Sequence, residues 1–186
     1  MICSGRRLQS GEKAVKTSKT RKSSSRRRPE VDPAASPFHL TIRRSHIHRL
    51  GLFAGEAIPA HRRVIEYRGK RILYEQVLRD HEKHPSDGAH KATYLLCLNS
   101  RWVLDGSVRG NGSELINHSC DPNLSTRRFR DHMFFFSRRK IMAGEELTID
   151  YRFHPKAQMI PCHCASAKCR GMINYRPGWG KTRAET

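Results

Sequence analysis

Four cysteines and an asparagine–histidine pair are the residues of this chain best suited to chemistry. Cys162, Cys164 and Cys169 stand in "PCHCASAKC" as C-x-C-x4-C, and Cys120 ends the earlier run "ELINHSC". Cysteine thiolates are strong zinc ligands, and structural zinc takes four ligands in a tetrahedron. Three local cysteines leave one corner open, and Cys120, at a turn before Asp121 and Pro122, is expected to close it. His163 competes for that corner, although Cys162 and Cys164 on either side leave it poor geometry. The plain alternative is a set of ordinary free thiols. Three cysteines within eight residues are dense for a chain with six in 186, and such clustering favours a metal. Four thiolates leave no position for water, so the zinc is expected to be structural. It would pin residues 162–169 against the turn at 117–123. Cys97, in the apolar "YLLCL", reads as a small core residue, and Cys3 carries no information.

The elements that must position these residues read as short strands. "FHLTIRRS" alternates apolar and polar residues, as an edge strand does. "GLFAGEAIPAHRRVIEYRGKRI" reads as two or three strands broken by Gly51, Gly55, Pro59 and Gly69. "LYEQVLRDHEKH" carries apolar residues at helical spacing, and "HPSDG" ends it. "TYLLCLNSRWVLDG" predicts a hairpin turning at Asn99–Ser100, and "MFFFSRRKIMAGEELTIDYRF" two strands with a turn at Ala143–Gly144. Strands and helices do not alternate, so a doubly wound sheet is excluded in favour of a mostly-β chain with several small sheets.

Composition sets the outer bounds. The chain has 186 residues and a formal net charge of +19, of which the first 28 residues carry +9 through ten Lys/Arg against Glu12. "KTSKTRKSSSRRRP" has no apolar period, so residues 1–37 are expected to be a disordered basic tail, with folded structure from Phe38. No apolar run is long enough to cross a membrane, and the start lacks a signal-peptide core. An intracellular chain with reduced thiols is expected rather than a disulfide framework. The charge suggests contact with nucleic acid or another polyanion, against the plain reading of a solvated tail.

Five segments in order resemble the SET-domain protein lysine methyltransferases. "SHIHRLGLFA" is similar to the family's N-terminal glycine turn and "EYRG" to the strand after it. "VLDGSVRGNGSELINHSCDPN" and "GEELTIDY" are similar to its two signature segments, and "CHCASAKCRGMIN" to its post-SET zinc module. The spacing most resembles the trithorax-like branch, whose members methylate histone tails. The resemblance covers about Phe38 to Asn174. It divides the chain into a SET domain over 38–154, a post-SET module over 155–175 and a short C-terminal tail over 176–186. It implies a mostly-β fold of small curled sheets with a C-terminal pseudoknot, in which "NHSC" passes beneath the loop carrying "GEELTIDY". It also implies S-adenosylmethionine on one face and a substrate lysine on the other.

On that resemblance Tyr151 is the catalytic tyrosine, which orients the lysine amine. Without it, a packed strand tyrosine would be the better reading. Tyr94 falls where the family shares a tyrosine between cofactor and lysine channel. Asn117 and His118 are implied to bind the cofactor, and His48, Leu50 and Gly51 to wrap it with backbone groups. Three positions depart from the pattern. Arg49 stands where a glycine is usual, Glu114 where an arginine is usual, and Ile149 where an aromatic residue precedes the catalytic tyrosine. The first two bear on cofactor binding, the third on how many methyl groups are added.

The function expected is methyl transfer to a lysine of a basic protein, a histone or histone-like tail. Such an enzyme would sit in the nucleus of a eukaryote, or in the cytoplasm or nucleoid of a bacterium. Glu145, Glu146 and Asp150 are candidates for a locally acidic groove that would attract such a tail. The alternative is a zinc-stapled module, weak in catalysis, that binds nucleic acid or chromatin through residues 6–28. "KTRKSSSRRR" also resembles a histone tail, so Lys22 is a candidate substrate in cis. A ribosomal or DNA-packaging protein is a further candidate substrate.

Overall fold

A computed structural model describes residues 30–83, 94–153 and 159–175. Residues 6–28 and Lys22, to which a nucleic-acid contact and a cis substrate were assigned, and the C-terminal tail over 176–186 lie outside the described residues.

The chain forms ten short strands and one α-helix among the described residues. The strands are β1 Leu40–Arg44, β2 Leu50–Ala54, β3 Arg63–Tyr67, β4 Lys70–Leu73, β5 Leu95–Cys97, β6 Trp102–Asp105, β7 Asn117–His118, β8 Leu124–Phe129, β9 His132–Ser137 and β10 Thr148–Ile149. The helix α1 spans Tyr74–Lys83. They assemble into four small sheets: β1–β2, β4–β6–β5, β3–β9–β8 and β7–β10. The fold is mostly β in several small sheets, as the resemblance to SET domains implies.

Alternation along β9 shows how sequence becomes sheet. Met133, Phe135 and Ser137 point inward, while Phe134 and Phe136 are only half-buried on the other face. Phe135 joins Leu52, Ile58, Ile65, Leu124, Ile141 and Leu147 in the fully buried core. Burying such side chains contributes roughly 1.5–3 kcal/mol each relative to exposure.

The expected hairpin at Asn99–Ser100 forms, as β5 pairs antiparallel with β6. Asn99 Oδ1 accepts the backbone N–H of Arg101 and Trp102, which closes the turn. The region after β9 differs from a simple hairpin. β10 does not return along β9; it pairs in parallel with β7, Thr148 beside Asn117 and Ile149 beside His118. The partners lie far apart in sequence, so this pairing brings the two signature segments together at one crossing. Asn123 locks it. Its Oδ1 accepts the Thr148 N–H at 2.9 Å, and its Nδ2 donates to the Glu146 carbonyl at 2.8 Å.

The folded part reaches upstream of Phe38. Val31 and Ala35 pack against the core, and Asp32 N–H donates to the Asn111 carbonyl at 3.1 Å. Cys97, in β5, is half-buried, where a small core residue was expected.

Candidate functional site

The four sulfurs predicted to meet do meet. Cys120, Cys162, Cys164 and Cys169 bring their Sγ atoms within 4.8 Å of one another. Cys120 and Cys162 lie 3.7 Å apart. A tetrahedral zinc with Zn–S bonds of about 2.3 Å separates its sulfurs by about 3.8 Å, so the cluster has the right size. Main-chain donors surround it: Arg170 N–H reaches Cys120 Sγ at 3.4 Å, and Gly171 N–H reaches Cys169 Sγ at 3.4 Å. Burial pushes the Cys164 thiol up, but N–H groups of Cys120 and Ser166 outweigh it and bring it down to about 7. His163 is exposed and stands apart from the four sulfurs. The thiolate-rich, half-buried donor set fits a structural zinc and leaves no place for a catalytic one.

The cluster abuts the crossing of β7 and β10. His118, 2% exposed, lies between them. Its Nδ1 accepts the Tyr151 backbone N–H at 3.1 Å, and its Nε2 lies 3.4 Å from Cys120 Sγ. Burial, opposed by Asp150 and aided by Arg170, lowers its pKa to about 4. The ring is therefore neutral, with its proton on Nε2 facing the sulfur. Both ring nitrogens face protein groups, so a cofactor contact by His118 would fall to its main chain.

Tyr151 follows directly. Its hydroxyl donates to the Ile116 carbonyl at 2.9 Å, and its ring meets His118 edge-on at 5.5 Å and Phe153 at 5.6 Å. Burial raises its phenol well above the ordinary value, and Tyr94 and Glu146 add to the effect. The phenol stays neutral at any physiological pH. Tyr94 is held through its backbone: its carbonyl accepts from the Tyr67 hydroxyl at 2.6 Å and the Gly106 N–H at 2.9 Å.

The other wall is the turn into β2. Asn117 Nδ2 donates to the carbonyls of His48 (3.3 Å) and Leu50 (3.0 Å) and to Glu146 Oε1 (2.8 Å). Glu146 also accepts from Ser45 Oγ at 2.8 Å. Gly51 lies so close to the Glu146 carboxylate and the Asn117 amide that a Cβ there would collide with them. The predicted residues His48, Leu50, Gly51, Asn117 and Glu146 thus form one knot of contacts.

A buried ion pair ties the two walls to the cysteine module. Arg170, whose side chain is 5% exposed, forks onto Asp150 with bonds of 3.0 and 2.6 Å. It also donates to the carbonyls of Ile173 (2.7 Å) and Asn174 (3.2 Å). The sequence held a signal for this pair, since Arg170 follows a zinc ligand and Asp150 precedes Tyr151, but periodicity cannot pair residues so far apart. Tyr67 was missed for the same reason.

The three acids suggested for a locally acidic groove serve inside the fold. Asp150 holds Arg170, Glu146 holds Asn117 and Ser45, and Glu145 holds Arg139 and Asn123. They are not a free acidic surface.

The SET domain family matches residues 49–152. Histone-lysine N-methyltransferase trithorax of Drosophila virilis is 36% identical over 140 residues, 73% of this chain and 4% of that protein. The H3 lysine-4 specific histone-lysine N-methyltransferase of Schizosaccharomyces pombe is 40% identical over 134 residues, 70% of this chain and 14% of its own length. Human histone-lysine N-methyltransferase SETD1B is 38% identical over 136 residues, 70% of this chain and 7% of its own. The chain spans only a small part of these relatives. The segments that cross at β7 and β10 fall within the match, and the chain belongs to the SET-domain family, with its relatives in the trithorax-like branch.

Proposed function

We propose that this chain transfers a methyl group from S-adenosylmethionine to the amine of a lysine in a basic protein tail of the histone kind. The observation that supports it most is the placement of Tyr151: a neutral phenol fixed at the crossing by Ile116 and His118, with Tyr94 beside it. S-adenosylmethionine, when bound, supplies the methyl group on a sulfonium. His48, Leu50 and Asn117 are the residues that would hold it, in the close-packed turn beside Gly51.

A lysine amine has an ordinary pKa of about 10.4, so at neutral pH it is mostly protonated and cannot attack. Burial in an apolar site disfavours its charged form. Tyr151, itself neutral, orients the amine rather than removing its proton as a tyrosinate. A phenol that donates to one carbonyl still has lone pairs to accept an amine hydrogen. Holding the amine in line converts an encounter into an oriented step. Zinc on the four cysteines would be structural and would fix the segment that carries Arg170.

Ile149, buried in β10 beside His118, has no polar atom with which to hold a water. The product is expected to reach the di- or trimethyl state. Mass spectrometry at saturating cofactor that finds only monomethyl-lysine refutes this.

The deciding experiment is a methylation screen over histones and other basic proteins, with calorimetric binding of S-adenosylmethionine and a Tyr151→Phe control. Label on lysine that falls on the order of 100-fold in the control supports the reading. Failure to bind S-adenosylmethionine, together with no label on any substrate, refutes it and leaves the zinc-stapled binding module.

A further inference from the structure

The outer face of the β3–β9–β8 sheet is the part of the molecule that methyl transfer does not use. Along β9, His132, Phe134 and Phe136 point to this face in succession. Their spacing is about 6.8 Å, two residues of strand, which is twice the about 3.4 Å rise per base of one duplex strand. His132 stacks on Phe134 at 6.0 Å with only 23° between the rings. Arginines flank the row from both neighbouring strands. Arg63 of β3 lies 5.3 Å over the Phe134 ring, and Arg127 of β8 lies 4.8 Å over Phe136. At the hairpin tip Phe129 is 64% exposed, with Arg130 5.4 Å over its ring.

Half-buried aromatics on a strand are ordinary where they pair with cross-strand neighbours. Here the arrangement goes further. Rings and guanidinium groups alternate across three strands. The nearby acids are already neutralised: Glu66 holds His132 at 2.6 Å and Arg68 at 3.1 Å, and Asp131 holds Arg71 at 3.3 Å. The face is therefore both flat-ringed and net basic.

We propose that this face binds single-stranded nucleic acid: Arg63, Arg127 and Arg130, which lie over the Phe134, Phe136 and Phe129 rings, swing out to phosphates, and splayed bases take their places on the rings. Base stacking on aromatic side chains with arginine alongside is how sheets take single strands without reading sequence. An acidic peptide would satisfy the arginines but would leave the rings without planar partners. The proposal depends neither on methyl transfer nor on the basic residues 6–28.

The full chain is titrated with fluorescent oligothymidine and with a duplex of equal length at physiological ionic strength. In the Phe134→Leu/Phe136→Leu variant, which keeps apolar volume but removes the flat rings, oligothymidine binding is expected to weaken roughly tenfold or more. Duplex binding, driven by charge, should hold. Equal loss of neither or of both probes overturns the proposal, as does an oligoglutamate that competes as well as oligothymidine. If the double variant does not fold, photocrosslinking of oligothymidine to the unaltered chain decides. Adducts within 125–136 support the face, and adducts confined to 1–29 overturn it.

Discussion

Replacing Arg170 should loosen the cysteine module from the β7–β10 crossing. The guanidinium is 5% exposed and Asp150 22%, and four bonds converge on it from Asp150, Ile173 and Asn174. Removing one partner of a buried pair leaves the other charge unpaired, at about 3–5 kcal/mol for a fully buried case. Asp150 keeps some solvent, so Arg170→Met should cost about 3 kcal/mol. For a domain of this size that is about 6–12 °C in melting temperature. Arg170→Lys keeps the charge but loses the fork, and should recover less than half of the loss. Thermal unfolding of zinc-loaded protein gives the energies, metal analysis shows whether the cysteines still hold zinc, and calorimetry reports S-adenosylmethionine affinity. A double-mutant cycle with Asp150→Asn isolates the pair. A melting temperature for Arg170→Met within about 2 °C of the parent, or no coupling with Asp150, would show that the module is held by zinc and strand contacts alone.

Four further outcomes are expected. Burial raises the Glu114 carboxyl above its ordinary value, against backbone donors including Gly112 at 2.8 Å. A carboxyl raised on folding contributes stability in its protonated form, present below the unfolded pKa and lost as pH rises through the folded one. Glu114→Gln should therefore raise the melting temperature at pH 7 and give no gain near pH 3, as parallel melts would show. Metal stripping, or Cys169→Ser, should abolish zinc stoichiometry and cost more than about 3 kcal/mol, measured by denaturant unfolding. Arg49 sits at φ 43, in the left-handed region that glycine enters freely, so Arg49→Gly should stabilise by up to about 1 kcal/mol. With the phenol of Tyr151 neutral throughout, kcat/KM should rise with pH from 7 to 9 as the substrate amine loses its proton; a decline over that range would implicate tyrosinate or another ionised group.

What the sequence made legible divides by distance along the chain. The cysteine set was readable because thiolates near one another in sequence announce their chemistry, and "NHSC" offered one further sulfur. β9 and β5–β6 were readable because alternation and an Asn–Ser turn are local signals. β8 was not, since "LSTRRF" carries Arg127, which stacks on the Phe136 ring of its partner strand, and Arg128, which donates to the Leu98 carbonyl, instead of alternating with apolar residues. The parallel pairing of β7 with β10 left no trace in periodicity, because each strand is two residues long and its register is set by Asn123 rather than by pattern. The resemblance supplied that crossing; propensity could not. The acids of "GEELTID" illustrate the converse error. Charge in a strand reads as surface, yet each carboxylate there holds a polar group of the fold.

The departures from the family pattern follow from the same local physics. A glycine is usual at position 49 because the turn into β2 needs positive φ. This chain meets that need with arginine, and the turn closes all the same, with Ser45 N–H on the Arg49 carbonyl at 3.1 Å. Ser45 Oγ then caps the Ile47 N–H and holds Glu146, so the bonds around the turn offset part of the backbone strain. At 114 the side chain does not reach toward Asn117 or the turn at His48. It folds back onto the Gly112 N–H and against Gly106 and Gly110, where a Cβ on either glycine would collide with it. An arginine there could not accept from that N–H. The loop at 106–112 therefore needs an acceptor at 114, with glycines beside it to admit the carboxylate. Restoring arginine alone should destabilise the loop, and only a joint change at 110 and 114 would test whether the usual arginine improves cofactor affinity.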